Sequence, residues 1–200
     1  MKNIVVFASG NGSNFKNIYF CIKNKEINGK LVMLISNNPN CGAINFAKKN
    51  KINFKILNKY RCNYPLAKEY EIVLKKCNVD LILLAGFMKK IPKNIVVSYK
   101  NKIMNIHPAL LPKYGGKGFY GMHVHNAVIK SKDQYSGATV HYVNEFYDEG
   151  DIIIQKKVRI DLTDDPKSLA EKVLMVEHEI YPSVVKAFCD DKKIIGDNIE

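Results

Sequence analysis

KNIVVFASGNGSNFKNIYFCI, residues 2–22, is the stretch that decides the fold class of this 200-residue chain. Its first part, residues 2–8, is an apolar segment of strand length, and a glycine-rich turn follows at residues 9–14. After the turn, apolar side chains recur at positions 15, 18, 19 and 22, which is the spacing of one helix face. We expect a strand, a turn and a helix in that order, with Ser13 or Asn14 as the helix N-cap.

The glycine-rich turn is a candidate anion site. Gly10 and Gly12 let a backbone come close to a ligand, and the free N–H groups of a first helical turn favour a phosphate. The turn lacks the dinucleotide fingerprint, because Phe15 occupies the place of its third glycine. The second predicted strand also ends in Ser-Asn-Asn at residues 36–38, without an acidic residue to hold a ribose.

Apolar segments of strand length and amphipathic helical segments alternate through the first half. The expected strands lie near 2–8, 30–36, 53–57, 80–85 and 102–107, and the helices near 14–24, 42–50, 65–77 and 92–99. This alternation predicts an α/β fold with a mostly parallel sheet in the first half.

The pattern changes after Pro112. Residues 114–121 are glycine-rich and predict a surface loop, and a short helix is expected near 122–131. Strands near 136–144 and 151–160 are close enough in sequence to pair, so we expect antiparallel strands in the second half. A long helix is expected over 165–190, with Asp164 or Asp165 as its cap and Pro166 in its first turn.

The segment Asn105-Ile106-His107-Pro108 ends the fifth predicted strand. Asn105 and His107 have the same parity, so both side chains would emerge on one face of the sheet. Pro108 cannot donate to a strand ladder, so the pair would lie at the carboxyl edge, where open α/β sheets bind ligands. From these residues alone, a structural histidine beside a turn asparagine is an equally good interpretation.

Acidic residues are concentrated in residues 144–151, which contain Glu145, Asp148, Glu149 and Asp151. Such a run is more often a solvated loop than part of a site. A carboxylate that folds back beside His107 would raise the imidazole pKa by stabilising its charged form.

Composition and length narrow the function classes. The chain is 46% hydrophobic, which is enough to bury one α/β core, and its longest apolar run, Leu81–Met88, is too short to span a bilayer. We see no signal peptide at the N-terminus. The five cysteines show no metal-binding spacing and predict free thiols in a reducing cytoplasm.

The net charge of +12 does not by itself indicate a nucleic-acid-binding protein. All basic residues except Arg61 and Arg159 are lysines, and they are spread along the chain instead of forming a stripe with aromatic residues. The charge can still steer small anionic substrates. His123 and His125 form a His-x-His pair, but without a third ligand at a fitting spacing they do not favour a metal site.

Six motifs together resemble those of a known family, in the same order and over nearly the whole chain. They are Ser9–Asn14, Leu84–Met88, Asn105–Pro108 with Leu110–Pro112, Gly137–His141, Asp148–Gly150 and Glu177–Pro182. In these motifs the chain resembles the phosphoribosylglycinamide formyltransferases, folate-dependent enzymes of purine synthesis. The resemblance implies a single Rossmann-like formyltransferase domain over residues 1–200, with a phosphate-binding half (1–100) and a catalytic and folate-binding half (101–200).

The chemistry implied by the resemblance is acyl transfer from 10-formyltetrahydrofolate to the amine of glycinamide ribonucleotide, through a tetrahedral oxyanion and without a metal. Asn105 would donate its amide to the oxyanion, and His107 would donate a charge-assisted bond and move the proton. Asp148 would keep the imidazole charged. The implied partners are these small molecules, with no nucleic acid and no membrane, and the chain would be a monomer or a homodimer.

The resemblance also assigns binding residues by position. The ribonucleotide would be held by Gly12, Ser13, Asn14 and Glu177, and the folate by Met88, Lys89, Lys90, Ile91, Val96, Asn105, Asn144, Glu145, Phe146 and Tyr147. Two positions depart from the family pattern. Lys89 occupies a position where the family often has arginine, and Leu174 occupies a position where the family has glutamine. These departures affect the expected contacts to the folate tail and to the substrate.

Three alternatives remain. Methionyl-tRNA formyltransferases carry a further tRNA-binding domain, for which no residues follow position 200, and formyltetrahydrofolate hydrolases carry a small domain before the glycine-rich turn, which here begins at residue 9. A non-catalytic nucleotide-binding module would bind ligand without turnover, and it needs no combination of Asn105, His107 and Asp148. His141, in the middle of a predicted strand, and His178, on the predicted terminal helix, are interpreted as structural.

Overall fold

A computed structural model of the chain describes residues 1–62 and 64–192, together with the backbone of residues 194–195 and 198–199. The chain divides into two compact units, Met1–Met104 and Asn105–Glu200.

The first unit is a parallel sheet with helices between its strands. Its strands are β1 (Lys2–Phe7), β2 (Gly29–Ser36), β3 (Phe54–Ile56) and β4 (Leu81–Leu84), and its helices are α1 (Ser13–Lys23), α2 (Gly42–Lys49), α3 (Leu66–Lys76) and α4 (Lys93–Ser98). β1 pairs in parallel with β2 and with β4, and β2 pairs in parallel with β3, which gives the order β3-β2-β1-β4. β5 (Ile103–His107) begins in this unit, and the Ile82 N–H donates to the Lys102 carbonyl at 2.8 Å.

Hydrophobic burial explains why the central strands of this unit read as continuous apolar runs. Residues 4–7 of β1 and residues 81–83 of β4 have no exposed side-chain surface. Strands of a parallel sheet are covered on both faces, so they lack the alternation of polar and apolar side chains. Phe7 packs against Tyr70 of α3 at a ring-centroid distance of 5.6 Å and against Phe87 at 5.1 Å.

The second unit contains an antiparallel strand pair and the longest helix. Its elements are the end of β5, α5 (Met122–Lys130), β6 (Tyr135–Tyr142), β7 (Ile152–Arg159), α6 (Pro166–Cys189), β8 (Ile194–Ile195) and β9 (Asn198–Ile199). β6 lies between β5 and β7 and pairs antiparallel with β7, with a register shift between Val140 and His141. α6 packs on β6, β7 and α5. β8 and β9 form an antiparallel two-stranded sheet.

α6 begins with a capping box. The Asp165 carboxylate accepts hydrogen bonds from the backbone N–H groups of Lys167 and Ser168, and the Asp165 N–H donates to Ser168 Oγ. Pro166 stands at the first helical position, where its missing N–H costs nothing. Of the two caps expected from the sequence, Asp165 is therefore the one used.

The predicted fold class is confirmed, with parallel strands in the first half and antiparallel strands in the second. The expected N-cap of α1 is wrong, because the N-cap is Gly12 and not Ser13 or Asn14. Gly12 has a φ of 71°, and a Cβ there would lie 2.8 Å from the Ala43 Cβ of α2, so only glycine fits. None of the helices in the described part of the chain is long and apolar enough to cross a membrane.

Candidate active site

Four polar side chains of the second unit meet at the end of β5. Asn105 and His107 project from one face of the strand, as their parity predicts, and Asp148 lies against both. Asn105 Nδ2 donates to Asp148 Oδ1 at 3.4 Å, and His107 Nδ1 lies 3.6 Å from Asp148 Oδ2. The fourth member is His141, whose Nε2 is 3.0 Å from Asn105 Nδ2 and 3.6 Å from Asp148 Oδ1. His107 and His141 are both buried.

Asp148 is the carboxylate of the acidic segment that folds back beside His107. It has a φ of 57°, and its Oδ2 accepts a hydrogen bond from the Gly116 N–H at 2.9 Å. The preceding turn is held by Asn144, whose Oδ1 accepts from the Phe146 N–H at 2.8 Å and whose Nδ2 donates to the Glu149 carbonyl at 3.0 Å. These bonds fix which acidic side chain reaches the histidine.

The hydrogen bonds of His107 define its tautomer. Its Nε2 is 2.8 Å from the Tyr114 carbonyl oxygen. A carbonyl can only accept, so Nε2 carries a hydrogen in both the neutral and the charged ring. Nδ1, which faces Asp148, is therefore the atom that gains or loses the proton.

Burial determines the charge of His107. It lowers the pKa of the imidazole, and although Asp148 and the Tyr114 carbonyl oppose this effect, the pKa stays below its ordinary value. Proximity to His141 lowers the His107 pKa further. Asp148 thus raises the His107 pKa, as the sequence predicts, but the loss of hydration acts in the opposite direction and is the larger effect.

Asp148 itself is held in its ionised form. Burial would raise the pKa of this carboxyl, but its interactions with the His141 and His107 imidazoles and with the Gly116 N–H together keep the pKa below its usual range. The cluster in the resting protein therefore combines a neutral His107 with a negative Asp148. Such a pair can accept a proton at Nδ1 and stabilise the imidazolium that results.

His141 is a member of the cluster that the sequence did not reveal. The Nδ1–H of His141 donates to the Tyr142 carbonyl at 2.8 Å, so in the neutral ring Nε2 is a lone-pair acceptor for the Asn105 amide. The expected strand ran to residue 144 and placed His141 in its middle. β6 ends at Tyr142, so His141 lies near the end of the strand, directly after the register shift. Such irregularities often turn a side chain toward an active site.

The Asn105 amide retains one hydrogen that can be redirected. Its bond to His141 is of ordinary length, whereas the 3.4 Å contact with Asp148 is long for a hydrogen bond. A stronger acceptor, such as a developing oxyanion, can therefore take this hydrogen while His141 keeps the amide in place.

The first unit contains the candidate anion site. Gly12 caps α1, and Ser13 and Asn14 are its first helical residues, with no acidic side chain in the first turn to repel an anion. Ser9 stabilises the turn, because its Oγ donates to Asn37 Oδ1 at 2.6 Å and accepts from the Met88 N–H at 2.8 Å. This role of Ser9 is a second feature that the sequence did not indicate.

The remaining sequence-predicted residues lie in both units. In the first unit, Met88, Lys89 and Lys90 are exposed after β4, and Ile91 and Val96 are buried. In the second unit, residues 144–147 form the exposed to half-buried turn that carries Asp148, and Glu177 is a buried carboxylate on α6. Among the predicted catalytic residues, Asp148 is thus in direct contact with both Asn105 and His107.

The His-x-His pair lies in the first half of α5. His123 is exposed, whereas His125 is buried, and burial together with the charge of His107 lowers the pKa of His125 to about 4. In the part of the chain that the structure describes, no three histidine, cysteine or acidic side chains are grouped closely enough to hold a metal ion.

Comparisons with known proteins agree with this architecture. A family model described as formyl transferase matches residues 2–185. The chloroplastic phosphoribosylglycinamide formyltransferase of Arabidopsis thaliana is 43% identical over 201 residues, which cover 96% of this chain and 66% of that relative. The Haemophilus influenzae phosphoribosylglycinamide formyltransferase is 34% identical, over 100% of this chain and 92% of its own length.

A solved structure gives the same result. The crystal structure of phosphoribosylglycinamide formyltransferase from Anaplasma phagocytophilum matches with a TM-score of 0.85 and 32% identity, over 95% of this chain and 87% of that one. The chain thus spans just under two thirds of the Arabidopsis relative's length but most of the length of these two bacterial relatives.

Proposed function

Because the chain belongs to the formyl transferase family, we propose that it transfers the formyl group of 10-formyltetrahydrofolate to the amine of glycinamide ribonucleotide. The product would be formylglycinamide ribonucleotide, in purine biosynthesis. The observation that carries the proposal is the contact of Asp148 with both Asn105 and His107, since acyl transfer needs an oxyanion donor, a proton carrier and a group that tunes the carrier.

The reaction neither consumes nor releases a proton overall. The amine loses a proton as it attacks the formyl carbon, and N10 of the folate gains one as its bond to that carbon breaks. His107 is suited to this transfer because its neutral Nδ1 accepts the first proton and returns it to the leaving nitrogen. Asp148 stabilises the imidazolium in the interval, and the Asn105 amide donates to the oxyanion.

The proposal assigns substrate-binding residues in both units. In the first unit, the N-terminus of α1 would bind the ribonucleotide phosphate, because the positive end of the helix dipole and the N–H direction of a first helical turn favour a dianion. The residues assigned to the ribonucleotide are Gly12, Ser13, Asn14 and Glu177, and those assigned to the folate are Met88, Lys89, Lys90, Ile91, Val96, Asn105, Asn144, Glu145, Phe146 and Tyr147.

We also propose a cytoplasmic location and a monomeric or homodimeric state, with no nucleic-acid partner. The cysteines at positions 21, 41, 62, 77 and 189 are all free thiols, which is typical of a reducing compartment. A stripe of arginines with interleaved aromatic residues, the usual mark of nucleic-acid binding, is absent from the sequence.

The deciding experiment follows folate release from 10-formyltetrahydrofolate by absorbance, with and without glycinamide ribonucleotide. We expect release that requires the ribonucleotide and yields one formylated product per folate. Release without the ribonucleotide would instead identify a hydrolase. A folded protein that binds both compounds and releases no folate would be a binding module and would overturn the proposal.

A further inference from the structure

Tyr114 joins the His107 ring to a second acidic residue that the reaction scheme leaves unused. The Tyr114 carbonyl oxygen accepts the hydrogen bond from His107 Nε2 at 2.8 Å. The hydroxyl of the same tyrosine donates to Asp133 Oδ2 at 3.0 Å. Asp133 lies in the turn between α5 and β6, and it also pairs with the exposed Lys113 ammonium at 3.1 Å.

The backbone around Tyr114 has little support from secondary structure. Residues 108–121 belong to no helix or strand, and two glycines follow the tyrosine directly. Tyr114 has a φ of 56°, a left-handed conformation that is unfavourable for a bulky side chain. Its ring packs edge-on against Phe119 at 6.1 Å. The side-chain contacts of Tyr114 therefore help to hold the carbonyl that His107 uses, together with the bond from the Gly116 N–H to Asp148.

We propose that Asp133 is a positioning residue for the reaction, because its hold on the Tyr114 hydroxyl fixes the backbone carbonyl that orients the His107 ring. This inference rests on the proposed function for its catalytic consequence. Its structural part, the orientation of His107, does not depend on which substrate the protein uses.

The effect on His107 has a defined direction. With the Tyr114 carbonyl displaced, the buried Nε2–H loses its acceptor, and Nδ1 no longer points steadily at Asp148. The Tyr114 bond raises the His107 pKa, so its loss lowers that pKa further. The other groups that act on His107, namely Asp148, His141 and His125, are unchanged by substitution at Tyr114 or Asp133.

Three variants separate the hydrogen bond from charge and packing. Tyr114→Phe removes the hydroxyl and keeps the ring on Phe119. Asp133→Ala removes the acceptor, whereas Asp133→Asn keeps an acceptor oxygen and removes the charge. Tyr135→Phe is the matched control. Tyr114, Asp133 and Tyr135 line one cavity of about 280 Å³, and the Tyr135 hydroxyl has no hydrogen bond within the described part of the chain.

The measurements are kcat, KM for both substrates, and the pH titration of the His107 Hε1 resonance by NMR in the ligand-free protein. We expect Tyr114→Phe and Asp133→Ala to lower kcat about tenfold, with KM nearly unchanged, since a misplaced catalytic group loses its alignment with the substrate. Both should also lower the His107 pKa. Asp133→Asn should retain most activity, and Tyr135→Phe should match the unmodified protein.

Several outcomes would overturn the inference. One is an unchanged His107 titration in Tyr114→Phe, together with a kcat equal to that of Tyr135→Phe. Another is equal damage from Asp133→Asn and Asp133→Ala, which would mean that charge and not the hydrogen bond matters. If Asp133→Ala does not fold, Tyr114→Phe carries the test. If the unmodified protein transfers no formyl group, the proposed function fails and the NMR titration alone decides the orientation of His107.

Discussion

The side chains of Asn105 and His141 meet at 3.0 Å, from Nδ2 to Nε2, although 36 residues separate them in the sequence. The contact assigns a role to each nitrogen, because the Nδ1–H of His141 is already donated to the Tyr142 carbonyl and leaves Nε2 to accept. The amide group of Asn105 is thereby turned with its nitrogen toward Asp148. An asparagine that acts as an oxyanion donor needs such a fixed orientation.

Asn105→Ala should leave a folded protein with kcat reduced about 10²–10³-fold, the usual effect of removing one oxyanion donor. His107→Ala and Asp148→Ala should likewise fold and lose most activity. Steady-state kinetics and circular dichroism of the three variants provide the check. Normal turnover in any of them would remove that residue from the mechanism.

His141→Ala should lower kcat about tenfold, less than Asn105→Ala, because the amide remains present but loses the acceptor that orients it. The double variant should be no slower than Asn105→Ala alone, since His141 acts through Asn105. Kinetics of the single and double variants form the cycle. Effects that simply multiply would show that His141 has an independent role.

The pH profile should show activity at neutral pH that falls only on the acid side of the ordinary histidine pKa of 6.5. Transfer requires a neutral His107 Nδ1, and burial holds the pKa of His107 below that value. Asp148→Asn should move the acid limb of kcat/KM to lower pH, because the carboxylate raises the histidine pKa. An acid limb above pH 6.5 in the unmodified protein would contradict a neutral resting ring.

His125 should make the protein less stable as the pH falls from 6.5 toward 4. Burial and the charge of His107 lower its pKa to about 4 in the folded protein, so between these values the unfolded chain binds more protons. Stability is fully present above the unfolded pKa and is lost as the pH drops through this window. His125→Gln should reduce the loss by on the order of 1–2 kcal/mol, measured by urea unfolding at pH 7 and pH 4.5. An unaltered pH dependence would argue against a neutral buried ring.

Gly137→Ala should destabilise the protein by at least about 2 kcal/mol, because a Cβ at this position of β6 would overlap the Lys156 carbonyl oxygen of β7. Gly10→Ala is the matched control for stability, since a Cβ at Gly10 meets no atom within 4 Å. Urea denaturation of both variants measures the difference. Equal stability would show that β6 and β7 can separate locally without cost.

Short-range patterns carried the prediction of the fold. Apolar periodicity located the helices and strands because the spacing of buried side chains follows directly from helix and strand geometry. The cap of α6 was also local, since Asp165, Pro166 and Ser168 lie within four residues of each other. The cap of α1 was not, because the choice of Gly12 depends on the approach of Ala43, which belongs to another helix.

The sequence alone determined the order of the strands and helices along the chain and the shared face of Asn105 and His107, because these depend on neighbouring residues. It also carried the family resemblance, in the order of six motifs. Local patterns left open which acidic side chain of the segment reaches His107; the resemblance pointed to Asp148, and the tertiary structure brings Asp148 Oδ2 within 3.6 Å of His107 Nδ1. The tertiary structure also decided that His141 lies beside the Asn105 amide and that burial lowers the His107 pKa despite Asp148. These features depend on how the loops close and on how much water the buried side chains lose. Both are set by residues that are distant in the sequence, so no local sequence pattern predicts them.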